Sequence, residues 1–410
     1  MIKFETFTLP NGLEVIIHPD RHTNIVVINV IYDVGARDET PDKTGFAHLF
    51  EHLMFGGSQH IPDFDEALQR VGGENNAFTS SDITNYYLTV PSNNAETGFW
   101  VESDRMLGLS FDPSVLEVQR KVVIEEFKQR YLNKPYGDVW HILRPLAYQT
   151  HPYKWPVIGK DISHIEEATM EDVRGFYNTH YVPQRAKLVI AGDIEVDKAF
   201  RLSEKWFGEI QKESGYTRNL PVEPAQKERR FSEVTADVPH DALYKTFHMP
   251  GRFENKFYPA DLLSDILGRG KSSRLYEGLV KDKKMFTNIS AYVLSSNDPG
   301  LMVISGTVAT GVNIEKAEKA LDDILYEEKR VKQSELDKVI NKSLASHEFS
   351  KVEVLDRATT LATGAAAGTP NLINEEADLI TSVTKEEIKK AATEIIQKTN
   401  ECTLYYRRQN

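Results

Sequence analysis

The stretch Thr44 to Ser58, TGFAHLFEHLMFGGS, sets a regular apolar pattern against three ionisable side chains within a chain of 410 residues. At about 100° per residue, the apolar residues form one stripe with the spacing i, i+3, i+4, i+7 and i+8. That stripe consists of Phe46, Leu49, Phe50, Leu53 and Met54. The pattern predicts a helix over residues 44–56, with Thr44 capping its start and Gly56-Gly57 ending it.

The polar side chains of this helix, His48, Glu51 and His52, fall on the face opposite the apolar stripe. Side chains four residues apart are neighbours on a helix, so His48 and His52 can grip one ion. Zinc suits imidazole ligands, and Glu51 on the same face can act as a base toward water. The order H-x-x-E-H is a known zinc-peptidase motif. The competing interpretation is a solvated polar face with no metal.

A catalytic zinc site needs a third protein ligand, and the segment Asp112 to Asn133, DPSVLEVQRKVVIEEFKQRYLN, offers one. Asp112 and Pro113 are a helix-start signal. Glu126 projects onto the apolar face of this helix. Glu125 turns toward Lys121, Lys128 and Gln129, and its alternative role is a surface salt bridge with Lys121. Because burying a lone carboxylate costs several kcal/mol, we expect Glu126 to be the ligand. Glu125 differs by one residue's rotation and stays the alternative.

Strand and helix patterns alternate along the chain, which favours an α+β fold of helices packed on sheets. Strands are predicted in LEVIIHP (13–19), NIVVINVIYDVGA (24–36) and RAKLVIAGDI (185–194), and a strand pair in NAFTSSDITNYYLTVP (76–91). Helices are predicted around residues 44–56, 63–72, 93–109 and 113–132. We expect mostly antiparallel sheets covered by helices.

An internal repeat divides the chain. The segments that begin at Ala168 and Val383 lie 215 residues apart, and each starts with a Thr-x-x-acid capping box before a helix and a strand. The offset is close to half the chain length, so two related halves are expected. The predicted domains are a zinc-bearing half over 1–213, a linker over 214–232, and a half without a metal motif over 233–410.

The amino-acid composition limits the classes of binding partner and the cellular compartment that we expect. A net charge of −12 argues against nucleic acid as a general partner, because phosphate binding relies on clustered cations. One cysteine, Cys402, excludes an intrachain disulfide framework and is expected to be a buried strand residue. No apolar run approaches the roughly 20 residues of a membrane-spanning helix, and no signal-peptide core is present. We therefore expect a cytoplasmic protein that does not enter a membrane.

Taken together, these motifs resemble those of the pitrilysin/insulinase family of zinc metallopeptidases, in its short mitochondrial-processing-peptidase-like branch. TLPNGLEVII, VGARDE, TGFAHLFEHLMFGGS, NAFTSSDITNYY, VVIEEF and FYNTHYVPQRAKLVIAGDI occur in the family's order. The resemblance implies one Zn²⁺ per chain, with His48, His52 and Glu126 as ligands and Glu51 as the base. It also implies that Asn76, Ala77, Phe78 and Thr79 form an edge strand that pairs with the substrate backbone.

The chain departs from the family pattern at two places. Gln119 stands where active relatives commonly carry a glutamate, so an amide would support the metal ligands there. Val280 and Thr287 stand where many active relatives have an arginine and a tyrosine that contact the substrate. We therefore expect a homo- or heterodimer with a closed chamber, in which a sister chain carries the Arg/Tyr pair.

The resulting expectation is a zinc-dependent endopeptidase that hydrolyses peptides or unfolded segments inside the dimer chamber. Zinc-assisted hydrolysis requires no serine or cysteine nucleophile. Two alternatives stay open at this point. One is a noncatalytic structural or peptide-binding subunit of such an assembly, and the other is a metal-storage protein that binds zinc without cleaving.

Overall fold

The computed structural model describes residues 1–211, 213–327 and 330–409. Its strands are β1 (Glu5–Thr8), β2 (Glu14–Pro19), β3 (Ile25–Tyr32), β4 (Glu74–Thr79), β5 (Thr84–Pro91), β6 (Ala186–Gly192), β7 (Arg230–Ala236), β8 (Ala242–Met249), β9 (Phe286–Leu294), β10 (Gly300–Val308) and β11 (Glu401–Arg408). Its helices are α1 (Phe46–Leu53), α2 (Phe64–Gln69), α3 (Ala95–Leu107), α4 (Pro113–Phe127), α5 (Val139–Ala147), α6 (Ser163–Glu166), α7 (Met170–His180), α8 (Val196–Phe207), α9 (Phe257–Gly268), α10 (Ile314–Asp322), α11 (Gln333–Phe349), α12 (Val354–Ala366), α13 (Leu372–Thr381) and α14 (Lys385–Ile395).

The first compact unit contains Met1–Gln129, Trp155–Leu220 and Glu348–Glu376. Its sheet has the strand order β1-β2-β6-β3-β5-β4, in which only the β2–β6 pair is parallel. Alternate residues of the strands face opposite sides. One face packs against α12, and on the other Ile28 and Leu88 pack against Gly98 of α3. The edge strand β4 lies beside α1, which positions the polar face of that helix at the rim of the sheet.

The second compact unit contains Arg130–Lys154, Pro221–His347 and Ala377–Asn410. Its sheet has the order β7-β11-β8-β10-β9, in which only the β7–β11 pair is parallel. Leu404 and Tyr406 pack with α5 on one face, and Tyr405 packs with α9 and α14 on the other. The predicted α+β fold, with two related and mostly antiparallel sheets covered by helices, is confirmed.

The repeat extends through both units. The strand order β2-β6-β3-β5-β4 of the first sheet matches β7-β11-β8-β10-β9 of the second, including the parallel pair. Helices α7 and α14 start 215 residues apart, and both carry the predicted capping box, in which the Thr169 and Thr384 hydroxyls accept hydrogen bonds from backbone amides. Duplication of one βα unit explains both sheets.

The two units exchange equivalent helices. Helix α5 begins at Val139 and packs in the second unit, whereas α12 begins 215 residues later at Val354 and packs in the first. The compact units therefore do not follow a single linear cut through the chain. The division into residues 1–213, 214–232 and 233–410 stays a prediction about the repeat, and the step between the units at Leu220–Pro221 lies within the proposed linker.

Local sequence signals account for most elements. The strands predicted from β-branched runs and the strand pair β4–β5 are present. The predicted helix over 113–132 is α4 followed by a π-helical turn over Lys128–Leu132. Its start is as expected, because Asp112 accepts a hydrogen bond from the Ser114 amide and Pro113 occupies the first turn. Across the described residues, the helices are too short or too polar to cross a lipid bilayer.

Candidate metal centre

Helix α1 divides its side chains between the core and a half-buried polar face. The five predicted stripe residues are all 5% exposed or less: Phe46, Leu49, Phe50, Leu53 and Met54. His48, Glu51 and His52 are each half-buried on the other face. Helix α4 crosses the end of α1 closely, because a Cβ at Gly56 would come within 2.2 Å of the Val115 Cγ1 atom. Packing of the stripe thus fixes where the polar face points.

The start of α1 differs from the prediction. Thr44 does not cap the helix: its hydroxyl accepts a hydrogen bond from the Lys160 amide, and Gly45 occupies the cap position with a left-handed backbone (φ 87°). The buried Glu39 carboxylate caps the helix instead, accepting hydrogen bonds from the amides of Gly45 at 3.0 Å and Ala47 at 2.9 Å. Its oxygens satisfy two amides that have no partner within the helix. Sequence reasoning missed Glu39 because its contact spans six to eight residues and has no local motif.

Burial raises the pKa of the Glu39 carboxyl from 4.5 to about 8, although the two amides favour its ionised form. Because the pKa is higher in the folded state, the neutral acid contributes stability that is complete below pH 4.5 and is lost as pH rises through 8. Glu39→Gln removes this titration. We expect the unfolding free energy of the zinc-free wild type to fall, relative to Glu39→Gln, between these pH values. Denaturant unfolding at a series of pH values measures the difference, and parallel curves would contradict the assignment.

Three side chains from two helices converge beside α1. Glu126 Oε2 of α4 lies 3.6 Å from His48 Nε2 and 3.5 Å from His52 Nε2. The two imidazole rings are 4.9 Å apart at their centroids and inclined by 76°. The three candidate ligand atoms all lie within 4.8 Å of one another, and no other trio of His, Cys, Asp or Glu in the described part of the chain meets that spacing. The predicted trio is therefore brought together.

The donor set and its spacing fit a zinc ion. Two imidazole nitrogens and one carboxylate oxygen are a known catalytic zinc set that leaves a fourth position open. Ligands bound at usual zinc distances in a tetrahedral arrangement are roughly 3.3–3.5 Å apart, close to the separations of Glu126 from the two histidines. Those separations are longer than a typical N–H···O hydrogen bond, so a shared cation links the groups better than direct contact does.

Adjacent glutamates on α4 take different environments. The side chain of Glu126 is 17% exposed and faces the histidines, whereas that of Glu125 is 59% exposed and pairs with Lys128 at 2.8 Å. This separates the two alternatives that the sequence left open. Gln119 is half-buried on α4, two helical turns before Glu126. A supporting role for Gln119 stays a prediction.

Glu51 is held at the rim of the sheet by strand β4. The Thr79 hydroxyl donates a hydrogen bond to Glu51 Oε2 at 2.6 Å. Burial raises the pKa of the Glu51 carboxyl, while the Thr79 hydroxyl and the neighbouring His52 lower it and Glu126 raises it. A raised carboxyl pKa favours action as a base near neutral pH. The sequence placed Thr79 only on the substrate strand, and no local pattern indicated its contact with Glu51.

The strand proposed to pair with substrate is the outer strand of the described sheet. Within that sheet β4 pairs with β5 alone, so one side of its backbone faces outward. The Asn76 side chain accepts a hydrogen bond from the Ala77 amide at 2.8 Å, and Phe78 is 36% exposed. The strand has the geometry that β-augmentation requires. Substrate binding by Asn76, Ala77, Phe78 and Thr79 stays a prediction.

The second unit shows how the departures from the family pattern are accommodated. Val280 packs against the apolar core of that unit, and the exposed Thr287 donates a hydrogen bond to the Thr307 carbonyl at 3.3 Å. Arg274 is bound by Glu335.

Cys402 is buried in β11 as expected, and burial raises the pKa of its thiol to about 11. A thiol with so high a pKa is a poor nucleophile at neutral pH.

Family models match both halves of the chain. The model for insulinase (peptidase family M16) matches residues 14–160, which include His48, His52 and Glu126. The model for the peptidase M16 inactive domain matches residues 167–343. The half that carries His48, His52 and Glu126 thus corresponds to the insulinase model, and the later half corresponds to the model described as inactive.

Relatives of known name or structure agree with this assignment. The zinc protease PqqE of Helicobacter pylori is 31% identical over 345 residues, which cover 82% of this chain and 78% of that protein. The mitochondrial-processing peptidase subunit beta of Caenorhabditis elegans is 28% identical over 234 residues, 57% of this chain and 49% of that protein. The crystal structure of a protease from Helicobacter pylori has a TM-score of 0.92 and 27% identity, covering 99% of this chain and 100% of that one. The chain belongs to the insulinase family of peptidases, peptidase family M16.

Proposed function

We propose that this protein is a zinc-dependent endopeptidase that binds one Zn²⁺ per chain through His48, His52 and Glu126. The observation that carries the proposal is the convergence of these three ligand atoms within 4.8 Å of one another, on two helices. Glu51 lies on the same helical face as the histidines, so a base accompanies the metal ligands. Membership of a peptidase family makes hydrolysis of peptide bonds the reaction that this arrangement serves.

Each residue has a defined task in the proposed reaction. Zinc, when bound, supplies a Lewis acid that polarises the scissile carbonyl and lowers the pKa of water toward about 7. Glu51 accepts the proton of the attacking water on its carboxylate, and then delivers it to the leaving amine nitrogen. The reaction proceeds without a covalent intermediate, which agrees with the buried, high-pKa thiol of Cys402.

The outer strand β4 supports a preference for extended substrates. Backbone pairing with Asn76, Ala77, Phe78 and Thr79 requires a peptide in β conformation, which a folded protein does not present. We propose that peptides or unfolded segments are cleaved inside a closed chamber made by a dimer. Such a chamber would exclude folded proteins by size.

A heterodimer accounts for the missing substrate contacts. Val280 and Thr287 replace the arginine and tyrosine expected of an active chain, and Val280 packs in the core with no polar atom to offer. The loss of one oxyanion-type donor typically costs about 10²–10³ in rate. We propose that a sister chain supplies the Arg/Tyr pair. The relative from Caenorhabditis elegans is by name one subunit of a peptidase. Full activity of the purified single chain would contradict this part of the proposal.

Metal removal tests the proposed function. Dialysis of the protein against a chelator is expected to abolish cleavage of an unstructured fluorogenic peptide, and one equivalent of Zn²⁺ per chain is expected to restore it. The same peptide sequence embedded in a stable folded domain is the control and should resist cleavage. The assay is run on the chain alone and together with its sister chain.

The rival function is a noncatalytic structural or peptide-binding subunit. It draws support from the match of residues 167–343 to a family model described as an inactive domain. That function predicts no cleavage by any combination of chains, even at full zinc occupancy. Absence of zinc binding at His48, His52 and Glu126 would likewise contradict the proposed endopeptidase function.

A further inference from the structure

Thr79 belongs to the proposed substrate strand and also contacts the proposed catalytic base. It is the last residue of the outer strand β4, and its backbone is part of the segment proposed to pair with substrate. Its side chain contacts α1, where the hydroxyl donates a hydrogen bond to Glu51 Oε2 at 2.6 Å. A hydroxyl-to-carboxylate hydrogen bond of this length is of the charge-assisted kind. The substrate strand and the candidate base are thus joined by one side-chain contact.

The contact restricts a side chain that would otherwise be mobile. A glutamate on the face of a helix has several rotamers, and choosing one costs conformational entropy. Glu51 is half-buried, and both the hydroxyl and the backbone of Thr79 hydrogen-bond its carboxylate. These contacts hold the carboxylate beside the end of β4. Catalysis depends on such placement, because small errors in the position of a reacting group lower the rate strongly.

We propose that Thr79 is a positioning residue for Glu51, holding its carboxylate through the hydroxyl while the Thr79 backbone belongs to the strand that receives the peptide. This inference rests on the proposed function and deepens it. Pairing of a peptide with β4 orders the strand end at Thr79 and thereby the orientation of Glu51. The proposed base is then best placed when a substrate is bound. The assignment gives Thr79 a role apart from substrate pairing, because its hydroxyl donates a hydrogen bond to Glu51.

Two substitutions isolate the hydroxyl. Thr79→Val keeps the shape and the β preference of threonine but removes the donor, and Thr79→Ser keeps the donor in a smaller side chain. Thr89→Val on the neighbouring strand β5 makes the same chemical change away from Glu51 and serves as the matched control. Each variant is assayed with the sister chain, at measured zinc content, on the unstructured peptide.

We expect Thr79→Val to lower kcat by about 10- to 100-fold, since a hydrogen bond to a charged group is lost. KM is expected to stay within about twofold, because backbone pairing with the strand is retained. Thr89→Val is expected to keep wild-type kcat and zinc content, and Thr79→Ser is expected to keep most of the kcat that Thr79→Val loses. A raised KM with unchanged kcat would instead make Thr79 a substrate contact, and equal losses in the Ser and Val variants would make it structural. Either result overturns the proposal.

Crystal structures of the variants provide a readout that does not depend on activity. We expect the Glu51 carboxylate to keep its orientation in Thr79→Ser and to leave it in Thr79→Val. An unchanged Glu51 rotamer in Thr79→Val overturns the positioning role, whether or not the protein cleaves peptides. Conversely, a wild-type protein that cleaves nothing defeats the proposed function while the two crystal structures still decide the role of Thr79.

Discussion

Replacement of Glu51 by glutamine is expected to lower peptide hydrolysis by about 10²- to 10⁴-fold, the range that general acid–base catalysis supplies. Glutamine has nearly the same shape and can still accept the Thr79 hydrogen bond, but it cannot take up a proton. Glu51 is outside the ligand trio, so the metal should stay bound. The expected phenotype is therefore a zinc-loaded protein that binds peptide and cleaves it very slowly.

The measurement combines zinc content per chain with kcat and KM for the unstructured peptide. A loss confined to kcat, at wild-type zinc content and similar KM, assigns Glu51 to the chemical step. Thr89→Val again serves as the control for a substitution near the rim of the sheet. Wild-type turnover in Glu51→Gln would remove Glu51 as the base.

Replacement of Glu126 by glutamine is expected to weaken zinc binding by more than about 100-fold. Loss of an outer-shell partner alone typically costs 10- to 100-fold in affinity, and Glu126 is placed as a direct ligand that also supplies the negative charge. Its Oε2 atom lies 3.6 Å and 3.5 Å from the two histidine nitrogens. An amide at this position keeps the shape but is a weaker, neutral donor to the ion.

The adjacent residue provides a matched control for this prediction. Glu125→Gln makes the same change one position earlier, where the carboxylate is largely exposed and pairs with Lys128. A surface pair of this kind contributes little, so zinc affinity should match that of the wild type. Competition with a chromophoric chelator measures both variants. Equal zinc affinities for Glu125→Gln and Glu126→Gln would show that Glu126 is not a ligand.

Helix α1 could be predicted because its sequence signals are local. The apolar stripe of α1 repeats with the helical period and is buried as that period requires, which leaves the histidines and Glu51 together on the other face. The choice between Glu125 and Glu126 is a rotation of about 100° on α4, and the wheel and the structure agree on which one faces the histidines. This part of the site could therefore be predicted from helical periodicity and residue spacing.

Contacts that depend on the tertiary fold could not be predicted from the sequence in the same way. Thr44 has the residue type of a helix cap, yet the buried Glu39 side chain accepts the hydrogen bonds from the amides of Gly45 and Ala47. The Thr79–Glu51 contact joins a strand to a helix 28 residues away. Helices α5 and α12 each pack in the unit formed mainly by the other half of the chain, and the repeat in sequence does not reveal which sheet a helix covers. Tertiary packing decides all three.

We propose that His48, His52 and Glu126 hold the zinc ion of a hydrolytic centre. An anomalous difference map collected at the zinc absorption edge, from crystals of the protein purified with its metal, tests this most directly. One strong peak is expected, located about 2.0–2.2 Å from a nitrogen of each histidine and from a carboxylate oxygen of Glu126. A zinc peak bound elsewhere, or no peak among these side chains at full zinc content, would contradict it.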